Sequence, residues 1–206
     1  MPEFTALLAG YRRFRDEIYI GQRKRWEALA EGQEPPVMVI GCCDSRVDPG
    51  LIFDIMPGQA FVLRNVANLV PPYETGGGRH GASAAIEFAV TELKVRHIVV
   101  LGHARCGGIA ACLAGGDHGA PGESFIDQWM TILTEKRDEV LATSPADPQR
   151  ALELEAIKVS LTNLRSFPWV QQRETAGYLK LHGAFFGIAE GVLHILDETT
   201  GAFSPA

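Results

Sequence analysis

Two uninterrupted apolar runs constrain the fold of this chain more than any other feature: Val37-Met38-Val39-Ile40-Gly41-Cys42 and the segment HIVVL at 97–101. A strand with one wet face alternates apolar and polar residues. Neither run does, so each reads as a strand covered on both faces, as in a parallel sheet. A third run, QAFVL at 59–63, falls between them, and ASAAIEFAVTEL at 82–93 reads as a compact apolar helix. Strand, crossover, strand, helix, strand is the order of an α/β fold with a mostly parallel central sheet flanked by helices.

The rest of the chain is arranged around that sheet. Phe4, Leu7, Leu8, Tyr11, Phe14 and Ile18 recur at helical spacing with charges between them, which predicts one long amphipathic helix or two. Gly32 and the Pro35-Pro36 pair end it, since proline cannot continue a helix. Residues 1–32 are therefore expected to form an N-terminal helical arm that packs on a neighbouring subunit. After Gly107 the pattern predicts a helix to about Gly115-Gly116, then an exposed Gly-rich loop at 115–123 and helices at about 124–142 and 147–165. A C-terminal strand pair, Leu179–Phe186 and Ile188–Leu196, is expected to connect tightly at Gly187. At 206 residues, the whole of 1–206 is expected to be a single domain.

Composition limits the partners. A net charge of −6 argues against nucleic acid and anionic membranes, because neutralising phosphates takes clustered Lys and Arg. No run approaches the roughly 18 apolar residues of a membrane span. The first residues are interrupted by charge and lack a small-residue cleavage site, so a cytoplasmic location is expected. In that reducing setting Cys42, Cys43, Cys106 and Cys112 are expected to be ligands, nucleophiles or core residues rather than disulfides.

Both apolar runs end in reactive residues, Cys42-Cys43-Asp44-Ser45-Arg46 and Gly102-His103-Ala104-Arg105-Cys106. In open α/β sheets functional sites lie outside the carboxyl ends of the strands, so these two segments can converge. Cys42, His103 and Cys106 then make a Cys₂His set suited to zinc, and three protein ligands leave a fourth position for water, the catalytic pattern. Asp44 can reach that position. The planar fork of Arg46 can hold the carboxylate bidentately, keeping it ionised, off the metal, and oriented to accept a hydrogen bond from hydroxide.

CCDSR at 42–46 with GHARCGG at 102–108 resembles the paired signature of the beta-class carbonic anhydrases. The resemblance continues through RNVANLVPP (64–72), AAIEFAV (84–90), SLTNLRSFPWV (160–170) and LHGAFFGIAEGVL (181–193), so it covers nearly the whole chain. It implies reversible hydration of carbon dioxide to bicarbonate by zinc-bound hydroxide, with one Zn²⁺ per subunit on Cys42, His103 and Cys106 and the dyad at Asp44 and Arg46. It also implies a homo-oligomer whose active site lies at the subunit interface. Gln33 matches a glutamine that donates to substrate across that interface, and Phe61 an aromatic wall of the carbon dioxide pocket. Val66 is expected on the same wall. Gly107 and Gly108 match glycines whose backbone approaches the substrate. Phe88 stands where plant-type members carry Tyr.

Some bacterial members have an inhibitory bicarbonate pocket built on a Trp three residues before the first cysteine ligand, an Arg and a Tyr. Here the Trp position is Val39, and Arg64, which matches the Arg, is expected to pair within the sheet-end loop. An open site with Asp44 on Arg46 follows as the expectation. Cys43 and Cys112 are expected to pack, and His182 to make a structural hydrogen bond. His80 could relay protons at the pocket mouth or be simply solvated, while His97, His118 and His194 suggest no role. The chain after Leu196 is short, which makes a large assembly through that end unexpected. Three rival readings remain: a zinc hydrolase of carbon disulfide or carbonyl sulfide on the same scaffold, a non-catalytic zinc protein, and a thiol enzyme using Cys42 or Cys43.

Overall fold

The computed structural model describes residues 2–76, 78–115 and 124–206. The loop expected at 115–123, apart from Gly115, and His118 within it lie outside the described residues. The chain divides into two compact units, Met1–Glu34 and Pro35–Ala206.

The first unit is the arm. Helix α1 (Pro2–Arg13) runs through a wider turn at Phe14–Tyr19 toward α2 (Arg23–Ala30). A small aromatic cluster joins these elements: Trp26 meets Phe14 edge-on at 5.5 Å and Tyr19 at 5.9 Å between ring centroids. No residue of these helices is buried, and Phe4, Leu7 and Tyr11 are each more than half exposed.

The second unit is built on a six-stranded sheet in the order β2-β1-β3-β4-β5-β6. Strands β1 (Val37–Cys42), β2 (Ala60–Asn65), β3 (His97–His103) and β4 (Lys180–Gly187) are parallel; β5 (Val192–Asp197) and β6 (Ala202–Pro205) run antiparallel at one edge. The mostly parallel sheet is as expected, but the C-terminal strands differ in detail. The first of the pair is the fourth parallel strand, with Leu181 and Phe185 buried on one face and Ala184 on the other. The connection is not at Gly187 alone but a turn over 188–191, closed by Gly191 N–H donating to the Gly187 carbonyl at 2.8 Å. Strand β6 was not foreseen, because Pro205 and Ser204 give it no apolar run.

The helices between strands are α3 (Pro49–Ile52), α4 (Gly81–Glu87), which continues as a wider turn to Glu92, and α5 (Gly107–Leu113). Then come α6 (Phe125–Met130), α7 (Thr134–Ala142), the 19-residue α8 (Pro148–Ser166) and α9 (Pro168–Thr175). Asp147 caps α8 by accepting from Arg150 N–H at 2.9 Å, and Pro148 sits in the first turn, where its missing N–H is harmless. Among the described residues no helix is long and apolar enough to cross a membrane.

The two faces of the sheet are covered unequally. Met38, Ile40, Ile98, Val100 and Phe185 pack under α4, α8 and α9 in the large cluster with Ile86, Ile157, Leu161 and Val170. The opposite face holds a small cluster, Val39, Leu101 and Ala184, backed by Ile52, Phe53 and Ile55. Helix α8 sits so close to the sheet that a Cβ on Gly102 would lie 2.7 Å from Ile157 Cδ1, so only glycine fits there.

Candidate metal centre

Neighbouring parallel strands bring the two reactive segments together. β1 ends at Cys42 and β3 at His103, and the parallel pairing of Gly41 with Leu101 puts both at the carboxyl end of the sheet. The chain then turns at Ala104-Arg105, with Arg105 in the left-handed region (φ 57°), and Cys106 opens α5. The two sulfurs and a ring nitrogen of His103 all lie within 4.8 Å of one another, and all three residues are buried. The Cys42 and Cys106 sulfurs are 4.0 Å apart. Two thiolates on a tetrahedral zinc, each about 2.3 Å from it, stand roughly 3.8 Å apart.

The orientation of His103 completes the fit. Its Nδ1 donates to the Ala104 carbonyl at 2.9 Å, which puts the proton of the neutral ring on Nδ1 and the lone pair on Nε2. That Nε2 is buried without a hydrogen-bond partner. Buried polar atoms are normally satisfied, and a lone pair facing two sulfurs is satisfied by a cation. The residues present therefore fit zinc.

Charge in the site is uneven. A hydrogen bond from Cys106 draws the Cys42 thiol well below the usual thiol range against the effect of burial, with His103 and the backbone N–H groups of Asp44 and Ala67 assisting. Cys106 is pushed up by the same hydrogen bond and by burial, while the N–H groups of Gly108 and Ile109 oppose this. Burial works against the imidazolium of His103, but the facing Cys42 thiolate and the Ala104 carbonyl outweigh it and raise its pKa.

Asp44 stands beside the ligands without joining them. Arg46 grips it bidentately, Nε to Oδ1 at 2.9 Å and Nη2 to Oδ2 at 2.6 Å, and the Arg46 backbone N–H donates to Oδ1 at 2.9 Å. These hydrogen bonds hold the carboxyl well below the usual carboxylate range. Oδ2 lies 4.0 Å from His103 Nε2. Arg46 also donates to the Arg105 carbonyl at 3.0 Å, tying the two segments to each other. Arg64 pairs within the loop as expected, donating to the carbonyls of Cys42 (2.8 Å) and Asp44 (2.7 Å) and to Asp48 Oδ2 (2.9 Å). Val39 is buried in the small sheet-face cluster.

Of the pocket residues, Val66 and the two glycines lie at the site. A Cβ on Gly108 would meet Val66 Cγ1 at 2.7 Å, so this glycine is there to admit Val66; the space beside Gly107 is open. Phe61 is placed elsewhere. It pairs with Met38, four residues before Cys42, so within one chain it sits about 13 Å along the sheet from the ligands at 3.3 Å per residue. Phe88 stacks on it at 5.9 Å and is itself exposed. Gln33 belongs to the arm unit and is exposed.

Cys43 is exposed rather than packed, because its neighbour Cys42 turns inward and the chain leaves the sheet there. Cys112 is buried in the core. His182 makes the expected structural hydrogen bond, and its partner is His97, at 3.0 Å. His194 lies edge-on to Phe185 at 6.4 Å. His80 is bonded to the Gly76 carbonyl and lines a cleft of about 910 Å³ with Pro71, Trp129 and Asn163, none of them a ligand.

Sequence reasoning missed two residues of α8. Glu153, only 4% exposed, accepts from the Cys106 N–H at 2.9 Å and from Gln149 Nε2 at 3.0 Å. Gln149 also donates to the Cys106 carbonyl at 3.3 Å. A signal was present: the buried stripe of α8 (Ala156, Ile157, Leu161, Leu164) is interrupted by Glu153 and Ser160, two polar residues with no reason to be there unless bonded. Ser160 bonds the Asn68 carbonyl (3.3 Å) and the Val70 N–H (3.2 Å), anchoring the segment that carries Val66.

The carbonic anhydrase family profile matches residues 37–193. Beta carbonic anhydrase 6, mitochondrial, of Arabidopsis thaliana is 40% identical over 184 residues; these are 87% of this chain and 63% of that protein, so the chain spans less than two thirds of the relative's length. Among solved structures, the beta-carbonic anhydrase CcaA superposes with a TM-score of 0.92 at 31% identity, covering 100% of this chain and 93% of that one. One of two tetrameric beta-carbonic anhydrases from the ascomycete Sordaria macrospora gives 0.83 at 29% identity, covering 99% and 100%.

Proposed function

The chain belongs to the beta-class carbonic anhydrase family, and we propose that it catalyses the reversible hydration of carbon dioxide to bicarbonate with one zinc ion per subunit. The observation that carries this reading is the buried Cys42–His103–Cys106 cluster with Asp44 locked on Arg46 beside it. Cys42, His103 and Cys106 would hold the metal. Bound there, zinc supplies Lewis-acid activation of water at neutral pH. Asp44, kept ionised by Arg46, accepts a hydrogen bond from the attacking water and turns its lone pair toward the substrate. The Arg46–Arg105 bond holds that carboxylate at a set distance from the ligand segment. Val66 offers carbon dioxide an apolar wall, and the open flank of Gly107 leaves room for it.

Gln33, Phe61 and Phe88 complete the pocket from a second copy of the chain in this reading. Three features support an assembly. Phe61 lies too far along the sheet to serve its own chain's ligands, the arm exposes Phe4, Leu7 and Tyr11, and β2 is an edge strand with Val62 43% exposed. The test is stopped-flow hydration of carbon dioxide before and after chelation. Activity that falls with zinc content and returns on zinc addition is expected. A zinc-loaded protein that does not hydrate carbon dioxide above buffer would overturn the reading.

A further inference from the structure

Helix α8 places a buried carboxyl group, that of Glu153, against the backbone of a metal ligand. Glu153 lies on the apolar stripe of that helix between Leu152 and Ala156, and burying a carboxylate is unfavourable unless hydrogen bonds offset it. The bonds it has go to one place. Its Oε1 accepts the N–H of Cys106, and Gln149, one helical turn earlier, steadies the same oxygen while donating to the Cys106 carbonyl. Both peptide groups of Cys106 are thus held by the first turns of α8.

Cys106 needs such a hold. It follows Arg105, whose left-handed backbone is strained for a residue with a side chain and persists only where the surroundings fix it. It also opens α5, so its N–H has no partner within that helix. We infer that Glu153, steadied by Gln149, is a positioning residue that fixes the Cys106 sulfur for zinc. It does so through the backbone of the ligand rather than through its side chain. The inference rests on the zinc reading above and concerns residues that take no part in the Cys–His–Cys set itself. Partners of this outer kind typically change metal affinity by roughly 10- to 100-fold.

The experiment follows zinc release from the loaded protein to a metallochromic chelator, alongside the thiolate-to-metal bands of the cobalt(II)-substituted protein. Wild type is measured first; a wild-type chain that takes up no zinc defeats the zinc reading and not this one. Glu153→Ala is expected to release zinc roughly 10- to 100-fold faster and to shift the cobalt bands, because the sulfur no longer sits at its set angle. Glu153→Gln keeps an acceptor for the Cys106 N–H and is expected to stay within a few-fold of wild type. Wild-type release and unshifted bands in Glu153→Ala would overturn the inference, as would equal loss in the Ala and Gln variants. If Glu153→Ala does not fold, Gln149→Ala decides: faster release with shifted bands supports the inference, and wild-type behaviour ends it.

Discussion

Asp44 can serve the site only while Arg46 holds it. With Oδ2 4.0 Å from the unpartnered Nε2 of His103, the carboxylate is one rotamer change from the position a metal would occupy. Arg46 prevents that change with two guanidinium bonds and one backbone bond to Asp44. Replacing it should therefore be damaging beyond its distance from the ligands. Arg46→Ala is expected to lower the hydration rate by about 10²-fold or more, the scale of a positioned proton-handling group. A crystal structure of the zinc-loaded variant should place an Asp44 oxygen on the metal. Arg46→Lys should recover little, since an ammonium cannot reproduce the planar fork. Turnover near wild type in Arg46→Ala would remove the dyad from the mechanism. These two residues, like the three ligands, were readable because each lies in a short motif at a strand end, where chain direction alone limits what it can face. Cys43 shows the limit of that reading: a small residue beside a ligand can face core or solvent, and here it is exposed.

At the scale of elements, α8 does what no motif announces. It is a core helix by its Ile157, Leu161 and Leu164, yet it also bonds the segment after β2 through Ser160 and the turn after β3 through Glu153. Gly102 was visible in the GHARCGG motif, but the reason for it lies on α8, where Ile157 presses on the strand. Gly102→Ala would bring a methyl to 2.7 Å from Ile157 Cδ1 and 2.8 Å from Cγ1. Overpacking of this kind destabilises by about 1–3 kcal/mol, which for a chain of this size lowers Tm by roughly 2–4 °C per kcal/mol. Ile157→Val removes Cδ1, so the double variant should regain part of the loss, a coupling that calorimetry on all four proteins would measure. Purely additive losses would mean that α8 does not press on β3 there. The sheet and the apolar helices were legible from periodicity because burial on both faces is a local property of a strand. The partners of Gly102, Cys106 and Val66 were not, because each contact joins residues far apart in sequence.

At the scale of the whole molecule, the sequence pattern and the single chain disagree in a useful way. The apolar runs of β1 and β3 call for cover on both faces, but the cover is unequal: one face is buried under α4, α8 and α9, while on the other Val39, Leu101 and Ala184 are buried and Val37 and Val99 beside them are only partly so. Phe61 and Phe88 stack on each other away from the ligands, and Phe88 is 45% exposed. A second copy resolves both facts if it covers that face and receives Phe61, Phe88 and Gln33 into its own pocket. Shared sites of this kind have a consequence that a self-sufficient subunit lacks. Cys106→Ser removes a ligand but leaves Gln33 intact, while Gln33→Ala does the reverse, so each variant alone should be nearly inactive. In dimers formed by co-refolding equal amounts, half are mixed, and each mixed dimer holds one site with both an intact ligand set and an intact Gln33. Activity should then rise to roughly a quarter of the wild-type value per chain, the statistical share for a two-fold assembly. Zinc content should stay near half, because only the Gln33→Ala chains bind it. A mixture no more active than its two components would show that Gln33 acts within its own chain or not at all.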